Sequence, residues 1–306
     1  MTLHAHKLRE LTLDVSRGAG GGRYLSAASG LVRTGGHIYV AADDERELAV
    51  FPATGDAPGR LVRFLPGELP ADPEERKRDK PDVEALALLP AGPGSPGGAL
   101  LALESGSKPN RRGGVLWDLD ADGTLTGDPR RLNLAGLYAV LEADIPDLNI
   151  EGATVAGDRL LLFQRGNGRA GVNAVIGLEL AAVLRSLRDG LLSPAALIDT
   201  HRHDLGEANG VRMCFSDATA VGDAGVLFSA VAESGEDTYR DGLCAGAAIG
   251  MLRPDGELDW IRPLDPPAKV EGIEVDRAGS DLSLLMVADP DDPDSPAPLL
   301  AARLSL

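Results

Sequence analysis

The sequence is short of the residues that most often mark a compartment or a specialised chemistry. Only two cysteines, Cys214 and Cys244, occur in 306 residues, too few for a disulfide framework. Aromatic residues make up 4%, so a core must be assembled from Leu, Val, Ile and Ala. No apolar run approaches the length of about eighteen residues that a membrane-spanning helix requires. The N-terminal MTLHAHKLRELTLDVS has no uninterrupted apolar segment of the secretory kind. Together these absences predict a reduced, cytoplasmic protein. Basic residues are also outnumbered, 30 Lys and Arg against 47 Asp and Glu, for a net charge of −17. That field repels nucleic acid and anionic membranes, and neither is expected as a partner.

Glycine and aliphatic residues are plentiful. With 38 glycines, 21 prolines and 43% hydrophobic residues, many short strands joined by turns are expected. One phrase recurs, as AASGLVR at 27–33, DVEALAL at 82–88, NIEGATV at 149–155, FSDATAV at 215–221 and KVEGIEV at 269–275. Aligned on its third residue, it sets Ser29, Glu84, Glu151, Asp217 and Glu271 in register. Each phrase leads through a Gly- or Asp-rich turn into an apolar strand: HIYVAAD, ALLALES, RLLLFQR, VLFSAVA and LSLLMVA. Third and fourth strands follow, and the repeat length suits a four-stranded propeller blade.

The predicted fold is therefore all-β, a single five-bladed β-propeller over 1–306. Its blades fall near 24–70, 80–134, 147–206, 211–265 and 267–306. The last unit holds only three strands, and a spare strand stands at 7–15. Pairing the two closes the ring and removes both exposed edges. Helical segments near 73–80, 135–143 and 181–190 read as insertions.

In a propeller the first strand of each blade borders the central channel, so the third residue of the phrase points five times toward one axis. Four carboxylates and a hydroxyl converging there repel one another unless a cation lies among them. Hard oxygen ligands suit Ca²⁺, and Mg²⁺ less because it demands stricter geometry. The competing reading pairs these acids with Lys80, Lys269 and Arg212. Loops expected on the same face carry Lys108, Arg111, Arg112, Arg165 and Arg240. Such cations in an acidic protein suggest a small anionic ligand. Glu104, Glu233 and Asp289 are the candidates for a general base.

The ring Ser29, Glu84, Glu151, Asp217, Glu271 resembles that of the calcium-activated nucleotidase (apyrase) family. The resemblance implies a five-bladed propeller with a central Ca²⁺ held by glutamates and serines of the inner strands. The pairs Glu151-Gly152 and Glu271-Gly272 are also similar to a motif of the phytase-like esterase and SdiA-regulated propeller families. The sequence departs from the apyrase pattern at Asp217, where a serine is expected and Ser216 stands one residue away. No equivalent of that family's nucleotide-binding loops is found.

Three functions remain open at this stage. The first is a metal-dependent hydrolase of a phosphoester or phosphoanhydride, with Lys108, Arg111, Arg165 and Arg240 binding the substrate. The second is a ligand- or protein-binding module with a structural metal. The third is a glycosidase, for which the top loops supply only Tyr239 as a platform. Other motifs carry less. DLDADGTLTGDP at 118–129 imitates a calcium loop, but position twelve is Pro129 and strands flank it, so it reads as a hairpin turn. His201 and His203 fall on a predicted outer strand, away from the channel.

Overall fold

The computed structural model describes residues 2–16, 22–70, 72–234, 243–278 and 281–305. Within them the chain forms five antiparallel meanders. Blade 1 is built from Ala28–Thr34, His37–Ala42, Glu47–Pro52 and Arg60–Arg63, and blade 2 from Val83–Leu89, Ala99–Glu104, Gly113–Asp118 and Arg130–Asn133. Blade 3 comprises Ile150–Ala156, Arg159–Gln164, Asn173–Glu179 and Leu197–His203. Blade 4 comprises Cys214–Ala220, Val226–Ser234, Leu243–Leu252 and Leu258–Asp265, and blade 5 begins with Val270–Ala278, Asp281–Ala288 and Pro298–Ser305. The first strand of every blade lies against the first strands of both neighbours, and blade 5 meets blade 1. The five-bladed ring is closed as predicted.

Most strands read as continuous apolar runs because both faces of each blade are covered. The core accordingly divides into five clusters, one per seam between blades. The three helices are insertions. Helix α1 (Pro73–Asp79) links blades 1 and 2, and the carboxylate of Asp72 accepts from the N–H groups of Glu74 and Glu75 at its start. Helices α2 (Ala135–Glu142) and α3 (Leu180–Leu187) bury Leu137, Tyr138, Leu141, Val183 and Leu187 in the seam between blades 2 and 3. No helix among the described residues is long and apolar enough to cross a membrane.

The fourth strand of blade 5 comes from the N-terminus, as the spare strand required, but it spans His6–Glu10. Beyond it the chain leaves the blade, because Leu11, Leu13 and Leu25 are drawn into the seam between blades 5 and 1. The segment also reaches one blade further than expected. Leu3–His4 pairs in parallel with the outer strand of blade 4, and Leu3 is buried between blades 4 and 5. One short segment thus straps two blades.

Candidate metal centre at the channel mouth

Each innermost strand breaks its ladder with the second strand at one residue. The skipped residues are Ser29, Glu84, Glu151, Ser216 and Glu271. A β-bulge leaves its extra residue unpaired and re-aims its side chain, here at the head of every blade. The fifth member of the ring is therefore Ser216, and the expectation of Asp217 is corrected by one position. The two serines make the same bond. Ser29 Oγ donates to the carbonyl of Val83 at 2.6 Å, and Ser216 Oγ to the carbonyl of Val270 at 2.5 Å. Each acceptor is the residue just before the bulge of the next blade. Asp217 instead occupies the position of Gly30, Ala85, Gly152 and Gly272, where inner strands approach closely.

Ser29, Glu84, Glu151 and Glu271 line a cavity of about 60 Å³ at the channel mouth, with Asp43, Asp82 and Asp289 around it. The ring is divided into two electrostatic halves. On the side of blades 3 to 5, Arg165 Nη1 lies 3.2 Å from Glu151 Oε2 and 3.5 Å from Glu271 Oε1, while Nη2 meets Glu233 Oε2 at 2.5 Å. Lys269 Nζ adds contacts to Asp291 at 2.6 Å, Glu233 at 3.1 Å, Asp289 at 3.6 Å and Glu271 at 3.7 Å. Of the alternative partners, Lys80 and Lys269 are thus at the site, whereas Arg212 is exposed outside the cavity lining.

The side of blades 1 and 2 is different. Lys80 pairs with Asp43, and with Asp82 at 3.1 Å, and Arg111 meets Asp82 at 2.8 Å. Glu84 has no hydrogen bond or ion pair for its carboxylate among the described residues. Ligand oxygens of Asp43, Asp82 and Glu84 all lie within 4.8 Å of one another. Burial, and then the carboxylates of Glu151, Asp43 and Asp82, push Glu84 well above the ordinary carboxylate range against the field of Lys80. Burial also raises Glu271 and Glu151, although Arg165 pulls both back. Burial opposes the charge on Asp82, yet Lys80 and Arg111 hold it below its usual value. These are oxygen donors whose mutual repulsion a cation relieves. Glu271 Oε1 is buried without a hydrogen-bond donor, but Arg165 and Lys269 stand 3.5 and 3.7 Å from it. The donor set fits a hard divalent ion.

The remaining predicted residues divide. Arg165 and Arg111 face the cavity, but each is engaged with carboxylates. Lys108 lies on the same loop as Arg111 and outside the lining; partial burial and the nearby Arg111 lower its pKa. Arg112 turns away to Glu142 at 2.5 Å. Arg240 and Tyr239 lie outside the described residues. Among the base candidates, Glu104 is corrected. Its carboxylate accepts from Gly113 N–H at 2.6 Å and Arg131 Nη2 at 3.0 Å, so it ties the outer strands of blade 2 together. Glu233 is held by Arg165 and Lys269. Asp289 lines the cavity, and burial pushes it up to about 7 against the field of Lys269. Sequence reasoning missed Asp43 and Asp82 as partners of Glu84; Asp82 stands two residues before it on the approach to the same strand.

Fold and site define a five-bladed propeller with an ionisable centre at one mouth of its channel. The chain belongs to a family of unknown function (DUF6929), whose model matches residues 24–304. No curated protein matches the sequence. Among solved structures, it is similar to the glutaminyl cyclase of Myxococcus xanthus, at 13% identity and TM-score 0.52 over 100% of both chains. It is also similar to the catalytic domain of a GH62 α-L-arabinofuranosidase from Coprinopsis cinerea, at 13% identity and TM-score 0.54, covering 99% of this chain and 96% of that one. At such identities the likeness shows the shared fold alone.

Proposed function

We propose that the protein is a calcium-dependent hydrolase of a small phosphoester or phosphoanhydride, with its centre at the channel mouth. Glu84 carries this reading: a carboxylate inside the cavity with no hydrogen bond or ion pair among the described residues, within 4.8 Å of two further acids. Glu84, Asp43, Asp82 and the hydroxyl of Ser29 would hold the ion. Calcium suits this uneven set of oxygens better than magnesium does. When bound there, the ion supplies Lewis-acid polarisation of a phosphoryl oxygen. Asp289 is the proton acceptor. The N–H of Asp291 holds its Oδ1 at 2.9 Å, and a value of about 7 suits a base near neutral pH. Arg111 and Lys80 place positive charge beside the same cavity for an anionic group.

A second reading rests on the ion pairs themselves. Arg111, Lys80, Arg165 and Lys269 are all spent on carboxylates, an arrangement that also suits a binding module with a structural metal. The test is turnover of p-nitrophenyl phosphate, pyrophosphate and a nucleoside diphosphate, with calcium or with chelator, alongside thermal melting. The hydrolase reading expects calcium-dependent turnover that D289N abolishes, and a calcium-induced rise in Tm that E84Q weakens. A rise in Tm without turnover of any of the three favours the binding module. No rise and no turnover removes the metal centre altogether.

A further inference from the structure

Arg165 stands where a metal ion would be expected from the ring. It follows the second strand of blade 3, and its guanidinium meets Glu151 of blade 3, Glu233 of blade 4 and Glu271 of blade 5, all within 3.5 Å. The side chain is buried, 5% exposed, and its Nε has no partner. Ordinary ion pairs join two groups; here one cation gathers three carboxylates from three blades. Lys269 touches two of the same acids, Glu233 and Glu271. Asp289 and Asp291 also face Lys269, so acids outnumber the two cations in this half of the ring. Without Arg165 only Lys269 remains to offset these acids among the described residues, an excess of negative charge that a divalent cation neutralises.

We propose that Arg165 is a resident cation: its guanidinium fills a divalent-ion position formed by Glu151, Glu233 and Glu271. It thereby confines exchangeable metal to the Glu84 side of the mouth. A planar guanidinium presents its donors in a fixed fork and stays charged even when buried, so this half of the ring is closed without any added ion. Arg165 is on this view a positioning and specificity residue that sets how many metal ions the channel takes.

The test counts bound calcium by equilibrium dialysis and follows Tm for the wild type, R165A and R165K, each refolded with calcium. Replacing Arg165 by Ala exposes the three acids to one another, and R165A should bind about one calcium ion more per chain than the wild type. Its calcium-induced rise in Tm should be about twofold larger or more. R165K keeps a charge in place and should bind as the wild type does. E233Q added to R165A removes one acid and should cancel the gain. The proposal is overturned if R165A folds but binds no more calcium than the wild type. It is equally overturned if R165A fails to fold with calcium present, since calcium should replace the lost charge. The metal centre at Glu84 is judged separately, on the wild type. A wild type without calcium beside an R165A that binds one sinks that centre and leaves this inference standing.

Discussion

The carboxylate of Asp217 accepts a hydrogen bond from the backbone N–H of Ile273 at 2.8 Å, across the seam from blade 4 to blade 5. Its other oxygen is buried without a partner, and burial pushes the group well above the ordinary carboxylate range. Asp217 therefore serves as a hydrogen-bond acceptor for a neighbouring strand, where the other blades carry glycine or alanine. D217N preserves the acceptor and should be close to neutral in chemical denaturation. D217A orphans the Ile273 N–H and should cost about 1–3 kcal/mol. Neither should change the response of Tm to calcium. A calcium response lost in D217N would return Asp217 to the metal ring.

The glycine facing that contact is as constrained as the acid. A methyl group on Gly152 would sit 2.8 Å from Asp217 Cα and 3.1 Å from its Oδ1, and main chain on a closed ring has little room to retreat. G152A should destabilise the fold by about 1–3 kcal/mol. Gly36, with nothing within 4 Å of its would-be Cβ, serves as the control, and G36A should stay within about 0.5 kcal/mol. Equal melting temperatures for the two variants would show that the seam yields more than a packed interface does.

Much of this architecture is legible in the residues, and the slip at Asp217 shows where legibility ends. Strand order and the closing strand follow from apolar runs and edge pairing, which are local and additive signals. The ring register is harder because a bulge leaves no mark of its own in composition. Asp217 looks like the fourth acid since acidity is the shared feature of Glu84, Glu151 and Glu271. The apolar residue before each bulge is the better guide. Ala28, Val83, Ile150, Phe215 and Val270 are all buried, and aligning on them selects Ser216. The division of the ring into a paired half and an open half was beyond reach. It depends on Arg165, which arrives from a loop 14 residues after Glu151 and touches three blades at once.

The N-terminal strap makes a sharper claim about stability than a single closing strand would. Leu3–His4 and His6–Glu10 cover the outer edges of blades 4 and 5, and Leu3 fills the seam between them. Removing residues 2–10 should therefore expose two unpaired strand edges and favour association between chains. Size-exclusion chromatography should show aggregated material and melting should lose its cooperativity. L3D should reproduce part of the loss of stability, on the order of 2–4 kcal/mol, without removing any strand. A truncated protein that stays monomeric with unchanged Tm would show that the ring holds without its strap.

Glu274 gives a prediction with a defined sign in pH. It lies three residues beyond Glu271, in a separate cavity of about 190 Å³ with Arg33, Thr34 and Leu285. Its carboxylate accepts from Thr219 Oγ1 and from Val275 N–H, each at 3.3 Å. Burial raises it to about 7; hydrogen bonds from Val275, Arg33 and Thr219 oppose the rise, and Asp276 adds to it. In the unfolded chain a glutamate titrates near 4.3, roughly, so between that value and about 7 the folded state holds a proton the unfolded state has lost. The stabilising contribution is complete below the lower value and fades as pH climbs through the upper one. Partial exposure screens the group, so about 1–2 kcal/mol is expected rather than the full shift. E274Q removes this titration. Relative to the wild type it should gain stability steadily from about pH 4.5 to about pH 7.5, then run parallel above that range. Denaturation measured across this range checks it: parallel curves throughout would mean that Glu274 is already ionised in the folded protein at neutral pH.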